Sequence, residues 1–197
     1  MFTGIIQDCG TIESIKGNLF TISHDLQEPF TVGESVALSG MCATVVQIES
    51  QKFTVEIMEE SRNRTIFGLA KIGELINLER SAIMGARNSG HFVLGHVDEV
   101  GTVIKREKQG DYELFRISIT PENASYIVFK GSISVDGISL TISQLSSPQT
   151  KEPWLEVSII SHTLAITNLK NKAPEHKVNL EFDILGKYIL RHQALNQ

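Results

Sequence analysis

Apolar and polar residues alternate over short stretches along most of the chain, a pattern typical of half-buried antiparallel strands. Val36 and Leu38, for example, alternate with small or polar neighbours, and similar runs follow at 44–48 and 53–58. The apolar stretch around Gly10 predicts two strand segments with a bulge or bend at this glycine. Six short strands at this spacing favour a small closed barrel, because closing the sheet removes its edges.

The same pattern occurs twice along the chain. Residues 33–48 align with 130–145 without a gap, with Gly40 on Gly137 and Thr44 on Thr141. Three further blocks match in the same order: 2–12 with 93–103, 55–67 with 157–169, and 76–79 with 178–181. Such a repeat predicts two tandem copies of one domain. We therefore expect an N-terminal barrel over 1–88, a C-terminal barrel over 89–184, and a helix with a tail over 185–197.

Helical signals are few. A cap residue followed by proline at 120–122 indicates a helix start, and 59–66 and 162–168 have the character of single turns. The last segment, 184–195, carries residues of one face at helical spacing: Leu185, Tyr188, Ile189 and His192. This face indicates either a contact between subunits or a helix that packs within the chain.

Composition narrows the class of protein. Hydrophobic residues make up 41% of the 197 residues and charged residues 21%, which is ordinary for a globular protein. The net charge of -5 supplies no basic field for nucleic acid or an anionic membrane. The chain starts on a strand-like run without a long apolar segment, so we expect neither export nor a membrane span. Cys9 and Cys42 lie at non-equivalent places in the repeat, which favours a reduced, cytoplasmic chain.

Several motifs together resemble one family over essentially the whole length. They are MFTGII, SGMCAT, SGHFVLGHVDE, KGSISVDGISLTI, SHTLAITNL and VNLEFDILGKY. A KGSI-x-VDG-x-SLT segment joined to a GHVD segment is a specific combination. On these residues the chain resembles the riboflavin synthase and lumazine protein family.

This resemblance implies an all-β fold of two tandem six-stranded antiparallel Greek-key barrels with short helices and a C-terminal helix. It implies a homotrimer joined by that helix, in which the N-terminal barrel of one subunit faces the C-terminal barrel of the next. Two molecules of 6,7-dimethyl-8-ribityllumazine would exchange a four-carbon unit, giving riboflavin and 5-amino-6-ribitylamino-pyrimidinedione. No metal or redox cofactor is implied, and association with lumazine synthase is left open.

The resemblance also implies which residues line the two pockets. The N-terminal pocket would contain Gly4, Ile5, Ile6, Ser35, Cys42, Ala43, Thr44, Glu56, Ile57, Met58, Glu59, Glu60 and Ser61. The C-terminal pocket would contain Gly95, His96, Val97, Lys130, Ser139, Leu140, Thr141, Ser158, Ile159, Ile160, Ser161, His162 and Thr163. Candidate catalytic groups are His96, Cys42, Ser35, Asp136 and either Glu181 or Asp183.

The residue types alone support a different role for each catalytic candidate. His96 stands where the first copy has Ile5, and histidine suits proton transfer near neutral pH; its alternative is a structural role. Cys42 would add to a ring carbon as a thiolate, or else serve as a small buried hydrophobe. Ser35 would supply a hydroxyl or position a water. Three attacking groups therefore stay open, namely water, Ser35 and Cys42.

Other polar residues have equally plain alternatives. Lys130 and Asp136 would form an ion pair at a turn or bind the ribityl chain. Glu181 repeats Glu79, which favours a role in the fold, whereas Asp183 has no counterpart and is the better candidate for a ribityl or catalytic contact. His91 is interpreted as structural, although the resemblance makes it a second catalytic candidate.

The chain departs from the family pattern at Ser39, Ala43, Ser161 and Ala165. These changes leave a second hypothesis, a non-catalytic antenna protein that binds lumazine or flavin. Both pocket segments of the second half, VDGISLTI and GHVD, are intact, and this favours the enzyme.

Overall fold

Two closed six-stranded barrels, one from each half of the chain, form the fold in a computed structural model that describes residues 1–196. The strands of the first barrel are β1 (Asp8–Lys16), β2 (Leu19–Ser23), β3 (Ser35–Leu38), β4 (Met41–Glu49), β5 (Lys52–Glu56) and β6 (Leu75–Arg80). Those of the second are β7 (Glu99–Gln109), β8 (Tyr112–Ser118), β9 (Ser132–Val135), β10 (Ile138–Leu145), β11 (Trp154–Ile160) and β12 (Lys177–Phe182).

Both barrels have the same antiparallel topology. The order around the first is β1-β2-β5-β4-β3-β6, and equivalent strands follow the same order in the second. Register shifts also repeat, in β1 after Ile12 and in β7 after Val103. The predicted all-β class with two tandem six-stranded barrels is therefore confirmed.

The expected bulge at Gly10 is wrong. The register shift lies between Ile12 and Ser14, and Gly10 instead pairs regularly with Ile76 of β6. A Cβ on Gly10 would lie 2.8 Å from side-chain atoms of both Ile22 and Leu78, so the glycine permits close packing inside the barrel.

Three short α-helices and three 3-10 turns complete the fold. The α-helices are α1 (Glu59–Arg64), α2 (Ser161–Ile166) and α3 (Ile184–Leu195), and the 3-10 turns cover Ile66–Gly68, Pro121–Tyr126 and Asn168–Asn171. The expected bounds of α3 are confirmed, and Asp183 caps it by accepting a hydrogen bond from the Leu185 N–H. None of the helices within residues 1–196 has the length and apolar character needed to cross a membrane.

A short segment of each half packs into the barrel of the other half. Ile6 is buried in the core of the second barrel with residues such as Phe115 and Ile133. Val97, its counterpart in the repeat, packs against the core of the first barrel. Burying one isoleucine side chain is worth about 1.5–3 kcal/mol, so this exchange stabilises the pair of barrels as one unit.

Backbone hydrogen bonds fix the exchanged segments. Phe2 and Val93 form an antiparallel bridge, with N–H to carbonyl distances of 2.7 and 3.1 Å. Beyond this bridge, Ser139 of β10 donates its N–H to the Gly4 carbonyl, and Cys42 of β4 donates its N–H to the Gly95 carbonyl, both at 2.8 Å. The segments 2–6 and 93–97 thus cross between the barrels in a nearly symmetric way.

Two asparagines at equivalent positions, Asn77 and Asn179, hold the barrels together elsewhere. Each donates a side-chain hydrogen bond to a backbone carbonyl of the other barrel and accepts one from a backbone N–H there. The partners are Asp136 and Asn168 for Asn77, and Ser39 and Ile66 for Asn179, at 2.7 to 2.8 Å. Because all four contacts are specific and reciprocal, the orientation of the barrels is well determined.

Candidate functional sites

A polar surface on the outside of the first barrel brings together several of the expected residues. On β4, Ala43 faces the core, so Cys42 and Thr44 face outward. Thr44 pairs with Ser35 on one side and with Glu56 on the other. The exposed residues Met58, Glu59 and Glu60 continue this surface into α1. We call it the first site.

His96 belongs to the first site, because the exchanged segment carries it there. The Gly95 carbonyl accepts the Cys42 N–H, and a Cβ on Gly95 would lie 2.5 Å from the Cys42 Cβ. His96 follows directly and is exposed. The expectation that Gly95, His96 and Val97 line the pocket of the C-terminal barrel is therefore wrong. The segment instead crosses to the N-terminal barrel, where the backbone of Gly95 contacts Cys42 of β4 and the exposed His96 follows directly in the chain.

The equivalent surface of the second barrel, the second site, receives the segment with Gly4, Ile5 and Ile6. The Gly4 carbonyl accepts the Ser139 N–H, and a Cβ on Gly4 would lie 2.6 Å from the Ser139 Cβ. The expectation that these three residues line the N-terminal pocket is also wrong, for the same reason. Exposed residues of this site are Ile5, Thr141, Ser158, Ile160, Ser161 and His162.

His91 lies at the second site, although its sequence position favoured a structural role. The His91 Nδ1 is 2.7 Å from the Ser139 Oγ, and the backbone N–H of His91 donates to the Thr3 carbonyl at 3.1 Å. Burial lowers the pKa of the His91 imidazole, and the charge of Asp183 opposes this shift only in part. Burial thus favours the neutral form of the His91 imidazole, which is able to accept a proton.

Asp183 has two roles in this region. Its Oδ1 accepts the Leu185 N–H at the start of α3, and its charge acts on His91. At the second site the Ser139 hydroxyl and the His91 imidazole are thus in hydrogen-bond contact, and the Asp183 carboxylate acts on the imidazole through its charge. The sequence signal that could have found His91 and Asp183 is that neither is repeated, since Asp183 aligns with Ser81 and His91 lies before the first matched block.

Two buried glutamates support the exchanged segments. Glu79 accepts the Thr3 and Gly4 N–H groups at 2.6 and 2.9 Å, and Glu181 accepts those of Leu94, Gly95 and His96 at 2.6 to 3.0 Å. Burial raises the pKa of both carboxyl groups, and these hydrogen bonds act in the opposite direction. The expected fold role of the repeated glutamates is confirmed.

Some of the expected lining residues direct their side chains into the cores. Ala43, Ile57 and Ile159 are at most 7% exposed, and Leu140 packs against the second core. Lys130 is exposed and has a left-handed φ of 65°, whereas its counterpart Gly33 has a φ of 92°. The repeat therefore keeps the turn conformation but adds a cation to the second site.

Asp136, a candidate catalytic group, lies apart from both sites. It is completely buried between the barrels, where its carboxylate accepts the Asn179 N–H at 2.7 Å and the Asn168 side-chain amide at 2.8 Å. Lys172 pairs with it at 3.2 Å. A fully buried and fully bonded carboxylate cannot reach a ligand on the barrel surface, so the catalytic expectation is wrong. Of the two alternatives for Lys130 and Asp136, the ion pair between them is wrong, because Asp136 pairs with Lys172.

Both sites are open surfaces on the single chain. Met58 of the first site is 70% exposed and Ile160 of the second is 59% exposed. A cavity of 710 Å³ lies between residues 81–89 and the segment with Thr3 and Ile5, and it adjoins the second site through Ile5. It contains none of the outward residues of β4 or β10. Each site therefore has a single protein wall in this chain.

Known proteins share this architecture. A family model described as the lumazine binding domain matches residues 3–81 and again 94–183. Riboflavin synthase from Mycobacterium tuberculosis (strain ATCC 25618 / H37Rv) is 39% identical over 197 residues, covering 97% of this chain and 97% of that protein. Riboflavin synthase from Bacillus subtilis (strain 168) is 37% identical over 201 residues, covering 98% and 91%. The structure of LumP complexed with 6,7-dimethyl-8-(1'-D-ribityl) lumazine has a TM-score of 0.77 at 22% identity, covering 92% of this chain and 99% of LumP.

Two barrels with equivalent outward sites, each matched by the same domain model, define a protein with tandem lumazine binding domains. The identity of 37 to 39% over nearly the full length is far closer than the fold alone would require. The chain belongs to the riboflavin synthase family.

Proposed function

We propose that this chain is a riboflavin synthase. It converts two molecules of 6,7-dimethyl-8-ribityllumazine into riboflavin and 5-amino-6-ribitylamino-pyrimidinedione by transfer of a four-carbon unit. The observation that carries this proposal is the presence of two equivalent sites in one chain, each built from an outward strand and a crossing glycine segment. Donor and acceptor in this reaction are the same compound, and two related surfaces suit two copies of one ligand.

The two sites must face each other across a boundary between subunits, because each one supplies a single wall. We propose a homotrimer in which the first site of one copy meets the second site of the next. The charges support this pairing, since the first site exposes Glu56, Glu59 and Glu60, whereas the second exposes Lys130 and His162. Holding two reactants together in this way can supply about 7–11 kcal/mol of the barrier.

Proton transfer is assigned to the two histidines. The 7-methyl group of the lumazine is acidic, and neutral His91, hydrogen bonded to Ser139, accepts its proton at the second site. The neighbouring ring carbon of the other lumazine is attacked at the first site by water, Ser35 or Cys42, and His96 moves the proton there. The attacking group leaves again before the products separate, so it is not consumed, and the atoms of two lumazines equal those of the two products.

The direct test is turnover without any added cofactor. Purified protein incubated with 6,7-dimethyl-8-ribityllumazine is expected to form riboflavin, measured by chromatography and by the growth of flavin emission. Tight lumazine binding without riboflavin after hours would contradict the proposal and favour the antenna protein instead. The expected cytoplasmic location and association with lumazine synthase stay predictions.

His96→Gln is expected to lower kcat by about tenfold or more, because a positioned acid or base contributes about 10²–10⁴-fold. His176→Gln is the matched control, since His176 is an exposed histidine in the turn before β12. Equal rates for wild type and His96→Gln would contradict the role of His96.

A further inference from the structure

Glu181 acts across the boundary between the barrels. It lies on β12 of the second barrel, where it pairs with Ser134 of β9, and it is 3% exposed. Its carboxylate nevertheless accepts hydrogen bonds from the segment that crosses to the first barrel. Leu94 donates to one oxygen at 2.6 Å, and Gly95 and His96 donate to the other at 2.9 and 3.0 Å.

These bonds replace a strand ladder that the segment does not have. Residues 94–96 lie outside the named strands, and Gly95 has a left-handed φ of 81°. The Gly95 carbonyl is already committed to the Cys42 N–H at 2.8 Å. One side of the segment is thus fixed by the first barrel and the other by Glu181. The position of the His96 side chain relative to Cys42 follows from these two anchors.

We propose that Glu181 is a positioning residue for His96, holding the imidazole over the first site from the opposite barrel. The positioning rests on the geometry, whereas its effect on turnover rests on the proposed function. Glu79 is the symmetric counterpart and holds Thr3 and Gly4 against Ser139 at the second site. Glu79 therefore serves as an internal control, because its carboxylate holds the equivalent segment of the first half, which has Ile5 at the position of His96.

The charged groups that act on Glu181 are those of Asp98 and Lys187. Asp98 and Lys187 form an ion pair of 2.7 Å beside it, and Asp98 also accepts the Phe182 N–H at 2.8 Å. Lys187 belongs to α3, and its charge favours the ionised Glu181, whereas Asp98 opposes it. An ionised Glu181 accepts all three N–H groups, and a neutral amide in its place would direct an N–H group at donors.

The test compares Glu181→Gln with Glu79→Gln by hydrogen exchange and by kinetics. Glu181→Gln is expected to speed amide exchange in peptides covering 93–98 and not in those covering 2–6, and Glu79→Gln to do the reverse. In wild type, both segments are expected to exchange at least about 100-fold more slowly than an unstructured chain. Exchange in 93–98 that is unchanged by Glu181→Gln, or unprotected in wild type, would overturn the proposal.

The kinetic readout separates positioning from general support of the fold. Glu181→Gln is expected to lower kcat by about tenfold. In the plot of kcat against pH, one limb is expected to disappear in His96→Gln, and Glu181→Gln is expected to shift that same limb along the pH axis. Glu79→Gln is expected to leave that limb in place, and identical pH profiles for the two variants would refute the assignment. If Glu181→Gln does not fold, Glu181→Asp keeps the charge with a shorter reach and is measured instead. A wild type without turnover would refute the proposed function, while hydrogen exchange would still decide the positioning.

Discussion

Gly95→Ala is expected to destabilise the folded chain by about 2–5 kcal/mol and to abolish riboflavin formation. The new methyl would lie 2.5 Å from the Cys42 Cβ and 2.8 Å from the Cys42 nitrogen, closer than nonbonded atoms approach. Overpacking typically costs about 1–3 kcal/mol, and a left-handed φ of 81° adds about 1–2 kcal/mol for a residue with a Cβ. Relief of the clash requires the His96 segment to move away from β4, which separates the imidazole from the first site.

Gly85→Ala is the matched control for this experiment. Gly85 also has a left-handed φ, of 87°, but a Cβ there would meet no atom within 4 Å among the described residues. Its cost should be the conformational part alone, about 1–2 kcal/mol, with turnover retained. Chemical denaturation and steady-state kinetics on both variants measure the difference. Equal loss of stability in the two variants would show that the crossing contact is not tightly packed.

The barrels and the C-terminal helix could be predicted from the sequence for physical reasons. Apolar and polar residues alternate with the period of a strand, and the pattern of 33–48 recurs without a gap at 130–145. Few folds other than a duplicated barrel fit such a repeat. The bounds of α3 were predictable because its apolar residues recur at helical spacing directly after Asp183, a favoured cap residue.

The exchange of segments could not be predicted, because the repeat itself hides it. The two barrels have the same fold, so the pattern of residues 2–6 fits the wall of either barrel equally well. The consequence for the sites is large. His91 and His96 are five residues apart, and an extended chain of that length spans about 17 Å, enough to place one histidine at each site. The sequence associates only His96 with the C-terminal pocket and favours a structural role for His91.

Asp136 illustrates a different limit of sequence reasoning. It aligns with Ser39 of the first copy, and the family resemblance places it among the candidate catalytic groups. Both residues have a left-handed φ, 46° and 42°, in equivalent tight turns between the barrels. The difference between Asp136 and Ser39 has a structural reason, because Asp136 forms an ion pair with Lys172. A partner so distant in sequence leaves no local pattern that would reveal it.

A double substitution on α3, Leu185→Asp with Ile189→Asp, is expected to convert the proposed homotrimer into monomers and to lower turnover by more than about 100-fold. Leu185, Tyr188 and Ile189 share one face of the helix and are 59 to 71% exposed on the single chain. Burying each such side chain is worth about 1.5–3 kcal/mol, and an unpaired carboxylate in the same contact is strongly unfavourable. Because the sites need each other, loss of the trimer removes most of the proximity contribution.

The substitutions keep the anchors of α3 to its own barrel, which are the Asp183 cap and the Lys187–Asp98 ion pair. A monomer that retains its thermal transition but has lost turnover would therefore isolate the effect of assembly. Ala194→Asp is the control, since this exposed residue lies on the opposite side of the helix and is expected to change neither mass nor rate. Light scattering measures the mass and flavin emission the rate. Full activity in a monomer would show that one chain can supply both walls, and the facing arrangement of the two sites would then be wrong.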